Sequence, residues 1–96
     1  MSAQLEREGE RLRVSGPLTL ATATALAAAA ETHLAGSITL DLAGVTEVDS
    51  AGLSLLFEWR RRAAARQCTL AFRNLPASMQ SLAELYGVAD LIAPAA

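Results

Sequence analysis

The chain has no lysine. All eight basic residues are arginine, and they stand against ten acidic residues for a net charge of -2. That balance gives no general attraction to nucleic acid or to anionic lipid. The single cysteine, Cys68, excludes an internal disulfide. It fits a reducing compartment and reads as a small buried hydrophobe at the start of a strand. The single histidine, His33, leaves zinc chemistry without ligands, since one Cys and one His far apart match no zinc spacing. Asp41, Glu47 and Asp49 offer oxygens without the spacing of a calcium loop. No Gly-x-x-x-x-Gly-Lys stretch is present, so no phosphate-cradling loop is expected and no cofactor is called for. The longest weakly polar run, Leu18 to Ala30, is broken by three threonines and falls short of the roughly 20 apolar residues that a spanning helix needs. The N-terminus lacks a basic segment followed by an apolar one and does not read as a signal peptide. A soluble cytoplasmic protein with no direct membrane insertion is the expectation.

Hydrophobic residues make up 52% of the 96 residues and aromatics only 4%. The core must therefore be aliphatic, and the length suits one domain spanning residues 1–96. Gln4 to Arg7 and Arg11 to Ser15 alternate like strands about the turn Glu8-Gly9-Glu10, which reads as a hairpin. Gly16-Pro17 is expected to end the second strand, because proline has no N–H to give a sheet. A first helix is expected over Ala23 to Ala35, capped by Thr22 or Thr24 and closed by Gly36, with His33 near its end. Ser37 to Leu42 reads as a central strand and Ala43 to Val48 as a connection with some extended character. The main helix is expected from Ser50 to Gln67, a last strand from Cys68 to Arg73, a third helix from Ala77 to Tyr86, and a short turn or helix from Val88 to Ile92. The fold class is α/β, with a small mixed four-stranded sheet and three to four packed helices.

Val48-Asp49-Ser50-Ala51-Gly52-Leu53 is the most informative stretch. A strand, a tight connection and a helix opening at Asp-Ser-Ala-Gly put one hydroxyl at the edge of the fold. Four roles are open to it: nucleophile, phosphate acceptor, docking point and helix cap. A hydrolase nucleophile elbow requires Gly-x-Ser-x-Gly, but Val48 occupies the first glycine position. No base accompanies the serine, because His33 belongs to another helix. As a cap, Asp49-Ser50 accepts first-turn amides and contributes about 1 kcal/mol. A phosphate on Ser50 would sit at the positive end of the helix.

At about 100° per residue, the apolar residues of the main helix spread over roughly 200°, wider than core burial minimally needs. Gly52, Leu56 and Ala63 centre the core side. Phe57 falls at the far edge beside Ser50, Ser54 and Arg61, a composition that suits a protein interface. Arg60, Arg61, Arg62 and Arg66 lie on several faces of the last turns and read as a solvated, cationic helix end.

The stretch from Ile38 through Asp41-Leu42 to Asp49-Ser50-Ala51-Gly52-Leu53 resembles the STAS domain, whose members share a strand ending in Asp-Leu and a helix opening with Asp-Ser/Thr-x-Gly-Leu. Two branches are relevant: anti-sigma factor antagonists phosphorylated at the position of Ser50, and the MlaB-like small subunit of the phospholipid ABC transporter that maintains outer-membrane lipid asymmetry. Leu55-Leu56-Phe57-Glu58-Trp59 and the ending Leu82 to Ile92 look more like the second. Gly16-Pro17-Leu18-Thr19 departs from the Gly, acidic, Leu, Asp loop of many members. The resemblance implies a non-catalytic adaptor that binds the transporter's ATPase subunit at the inner face of the inner membrane. Its partner-binding residues would be Asp49, Ser50, Ser54, Phe57, Glu58 and Arg61, with Ser50 also a possible phosphoacceptor. Phosphorylation-controlled anti-sigma antagonism is the alternative. Exposed Phe57 and leucines would favour weak self-association without the partner.

Overall fold

Leu12 and Val14 alternate with Arg11 and Arg13, so one face of that strand must be apolar and the other charged. A computed structural model describes residues 3–92 and places that strand inside a four-stranded sheet. The strands are β1 (Gln4–Glu8), β2 (Arg11–Leu18), β3 (Ser37–Val48) and β4 (Thr69–Arg73), and their spatial order is also β1-β2-β3-β4. β1 and β2 form the expected antiparallel hairpin, while β2–β3 and β3–β4 pair in parallel. The helices are α1 (Leu20–Glu31), α2 (Ser50–Ala65) and α3 (Ala77–Leu85), followed by a 3-10 turn at Ala89–Ile92. This is the mixed four-stranded α/β arrangement expected from the sequence.

The topology dictates the layering. β2-α1-β3 and β3-α2-β4 step across the sheet in the same direction, and right-handed crossovers then place both helices on the same face. Leu12, Leu40 and Phe72 are register neighbours across the three parallel strands, and all are fully buried beneath those helices. Leu56, Trp59 and Ala63 of α2 and Ala30 of α1 complete the core from above. The other sheet face stays open and polar, and carries the neighbouring row Glu6, Arg13, Asp41 and Arg73. Asp41 on that row is only 6% exposed. Burial opposes its charge. The Asn74 amide at 2.9 Å, the Ala43 N–H at 3.0 Å and the nearby Arg11 and Arg13 outweigh that effect and hold its pKa below the ordinary value.

Several boundaries differ from the sequence reading. Gly16-Pro17 does not end β2. The strand runs on to Leu18 by way of register shifts between Arg13 and Ser15 and between Gly16 and Pro17, and Pro17 pairs with Glu47 of β3. The β1 pairing reaches only as far as Ser15, so Pro17 is not required to donate to that strand. Ala43 to Val48 is therefore the second half of β3 and not a connection. Helix α1 begins three residues earlier than expected, at Leu20, with Thr19 as its N-cap in place of Thr22 or Thr24. Thr22 serves at the third position instead, where its hydroxyl accepts the Thr19 N–H at 3.1 Å. The helix also ends at Glu31, well short of Ala35, so His33 lies in the turn beyond it and not within it. There its ring faces the Arg7 guanidinium at 3.4 Å. Finally, Gln67 lies outside α2. It turns left-handed at φ 55°, and the Cys68 N–H reaches back to the Ala63 carbonyl at 2.8 Å. Gly87 does the same for α3 at φ 70°, letting the Val88 N–H bond to the Ala83 carbonyl.

Candidate functional site

Only Asp49 separates β3 from α2, so the strand delivers its chain directly into a helix start. Asp49 is extended, at φ -126° and ψ -174°, and is the N-cap of α2. Its carboxylate serves two helices at once. Oδ1 accepts the Gly52 N–H in the first turn of α2, and Oδ2 accepts the N–H of Leu20, the first residue of α1, both at 3.0 Å. Bonds from the Leu20 and Gly52 N–H groups hold its pKa below the ordinary carboxylate value. The positive ends of both helix dipoles converge on this one anion.

Gly52 explains how the two helix starts come so close to the sheet. A Cβ built on it would lie 2.0 Å from the Leu18 carbonyl oxygen. Any side chain there would therefore push α2 off the end of β2. The Asp-Ser-x-Gly spacing thus combines a cap and a contact, with the hydroxyl between them facing outward. Ser50 is the first residue of α2 and is exposed. Capping falls to Asp49, so the Ser50 hydroxyl is left for other roles.

Helices α1 and α2 run parallel. Leu20 meets Asp49 at one end, and at the other Arg62 bonds to Glu31 at 2.6 Å and Arg66 bonds to the Leu34 carbonyl at 2.9 Å. His33 thus lies at the opposite end of α1 from Ser50, about 18 Å of helix away at 1.5 Å per residue. A Ser50–His33 catalytic pair is sterically impossible in this fold. Among the described residues, no group of three or more His, Cys, Asp or Glu is placed to hold a metal, and no helix is long and apolar enough to cross a membrane.

The outward arc of α2 collects Ser50, Ser54 and Arg61, all exposed, with Phe57 and Glu58 partly exposed at its margins. Phe57 is not a free ring, since part of it packs on the core. Glu58 is not a free carboxylate either. Arg61 grips it through two nitrogens, at 3.1 and 2.5 Å, and Arg62 adds a third bond at 2.6 Å. The arginines are consequently more than a solvated helix end. Arg62 and Arg66 fasten α2 to the end of α1, and Arg60 lies over the Phe72 ring, 5.4 Å from its centroid. Arg61 projects widely, its side chain 72% exposed.

Leu20 is the residue that sequence reasoning missed. Its side chain is 79% exposed beside the Asp49 cap, the most exposed large hydrophobic residue described. Reading Thr19 as the N-cap would have placed it on the helix and marked it as an apolar residue with no core neighbour at its turn. Between the helices runs a shallow groove of about 430 Å³, lined on one side by Ala23, Thr24 and Ala28 and on the other by Ala51, Ser54 and Leu55.

Residues 1–93 match the family model described as Mlab, STAS domain. No curated protein shows significant sequence similarity to the chain. Among solved structures, the Bacillus cell fate determinant SpoIIAA in its phosphorylated form is similar over 99% of this chain and 92% of its own, at 19% identity and a TM-score of 0.68. The unphosphorylated anti-sigma factor antagonist SpoIIAA covers 88% and 83%, at 19% identity and a TM-score of 0.66. A structure of Mglu is 25% identical with a TM-score of 0.59 over 77% of this chain, but the match spans only 20% of the Mglu chain.

Proposed function

The chain belongs to the Mlab, STAS domain family, and from that premise we propose that it is a non-catalytic adaptor. It binds the ATPase subunit of a phospholipid ABC transporter that maintains outer-membrane lipid asymmetry. It works at the cytoplasmic face of the inner membrane, held there by its partner. The observation that carries this reading is the helix start at Asp49-Ser50. Asp49 and Gly52 fix α2 against the sheet, and the residues left facing outward are hydroxyls, small side chains, an aromatic edge and the Glu58–Arg61 pair. That surface suits docking. Asp49 acts as a positioning residue, while Ser50, Ser54, Phe57 and Arg61 supply the contact, with Glu58 holding Arg61 in place.

The test is a binding titration of the purified chain against the ATPase subunit encoded by the same organism. A Ser50→Arg variant puts a long cation at the centre of the face without touching the core, and it should weaken binding at least tenfold. Unchanged affinity would contradict the docking role. A second reading is favoured by the exposed Ser50 hydroxyl at a helix N-terminus, which is open to phosphorylation. In that case the chain is an anti-sigma factor antagonist, and mass spectrometry of the native protein would find phosphate on Ser50 along with a kinase-type partner.

A further inference from the structure

The outward surface of α1 and α2 is divided by charge. From Leu20 to Ala30, α1 carries no charged residue, although Leu20, Ala21, Thr24, Ala25, Ala28 and Ala29 are all exposed. A solvent-facing helix ordinarily carries charge on its outer face. The N-terminal half of α2 continues this neutral area with Ser50, Ala51 and Ser54, and charge enters the lining of the groove between the two helices only through Glu58 and Arg62. The C-terminal ends are the reverse. Three guanidiniums, from Arg61, Arg62 and Arg66, stand against two carboxylates, Glu31 and Glu58. This end is locally cationic in a chain whose net charge is -2. Arg61 is the most exposed member, and the Glu58 bonds hold its guanidinium in one orientation.

We propose that the α1–α2 surface receives a partner face that is apolar opposite the neutral helix starts and acidic opposite Arg61. This rests on the docking reading above and adds the chemistry of the bound surface. The occupant is the ATPase subunit, seated along both helices and not on α2 alone. Small side chains on α1 allow its backbone to be approached closely, and Leu20 supplies an apolar anchor at the rim. Carboxylates of the partner meet Arg61, which sets the register of docking along the helices.

The experiment measures the affinity of the full chain for the purified ATPase subunit at several salt concentrations. Variants are Ala28→Glu, Arg61→Glu, Arg61→Gln and Ser50→Arg, each checked for unchanged circular dichroism and melting temperature. Ala28→Glu should weaken binding at least tenfold. Arg61→Glu should weaken it more than Arg61→Gln, and wild-type affinity should fall as salt rises, a dependence that Arg61→Gln reduces. If Ser50→Arg abolishes binding while Ala28→Glu and the Arg61 variants bind like wild type, the docking reading stands and this inference is overturned. Loss with Ala28→Glu but no effect of salt or of Arg61 removes the acidic partner face and overturns it as stated. If wild type does not bind the ATPase, or Ser50→Arg binds unchanged, the docking reading itself fails and this inference goes with it.

Discussion

Replacing Gly52 with alanine sets two physical effects of opposite sign against each other. Alanine is the better helix former by about 1 kcal/mol, so helix propensity alone predicts a more stable protein. Against this, the new Cβ would lie 2.0 Å from the Leu18 carbonyl oxygen and 2.9 Å from the Leu18 carbonyl carbon, where ordinary contact begins at 3.4 Å. The obstacle is backbone, and Leu18 is held in the sheet by its pairing with Val48, so no side-chain rotation relieves the clash. Helix α2 has to move away from β2 by more than 1 Å. Overpacking of this kind costs about 1–3 kcal/mol. The same movement stretches the Leu20 N–H bond to Asp49, a further loss of about 1 kcal/mol. After the propensity gain the net loss is about 2 kcal/mol, which lowers the melting temperature of a domain this size by roughly 8–16 °C. Urea titration followed by circular dichroism measures it, with the slope expected to stay unchanged. A Gly52→Ala protein as stable as wild type, or more stable, would refute the close approach and with it the account of why this helix begins with Asp-Ser-x-Gly.

Asp49→Ala removes a cap from two helices together and should cost about 2 kcal/mol, twice an ordinary N-cap, as measured by the same titration. Asp49 has a lowered pKa, so its charged form contributes stability that is present above the unfolded pKa and is lost as pH falls through the folded one. The stability gap between wild type and Asp49→Asn should therefore narrow on acidification below about pH 4. A gap independent of pH would contradict the charged cap. Trp59 is fully buried, and its Nε1 has no hydrogen-bond partner. Trp59→Phe should therefore cost less than about 2 kcal/mol, because loss of the orphan donor offsets part of the cavity. A loss of 4 kcal/mol would argue against that offset.

The elements themselves were legible because their signals are local. Alternation of Leu12 and Val14 with arginines marks β2, and the apolar run Ile38 to Leu42 marks a central strand. The core side of α2 at Gly52, Leu56 and Ala63 follows from helical periodicity alone. What could not be read was non-local. Gly16-Pro17 and the segment from Ala43 to Val48 carry loop signals, yet Gly16 pairs with Val45 and Pro17 with Glu47, and that pairing overrides the local preference of both segments. Gly44 lies so close to Ser15 that a Cβ would come within 2.9 Å of the serine Cβ, a reason for glycine that appears only once the strands are side by side. In the candidate site, Asp49 and Ser50 were found by their motif. The second helix that Asp49 caps, and the exposure of Leu20 beside it, depend on a contact across 29 residues of sequence.

The parallel centre of the sheet has a consequence for how the chain acquires its shape. Among the described strands, only β1 and β2 are joined by a tight turn. Every other strand pairing waits for a helix to be threaded between its members. Several pieces of the interior, Phe72, Met79, Ala83 and Ile92, also follow α2 in the chain. A growing chain that has already made the Asp-Ser-x-Gly helix still has nothing to cover one flank of it. The domain therefore closes only when the segment beyond α2 is in place, and until then one flank of the helix that begins at Ser50 stands open to the cell.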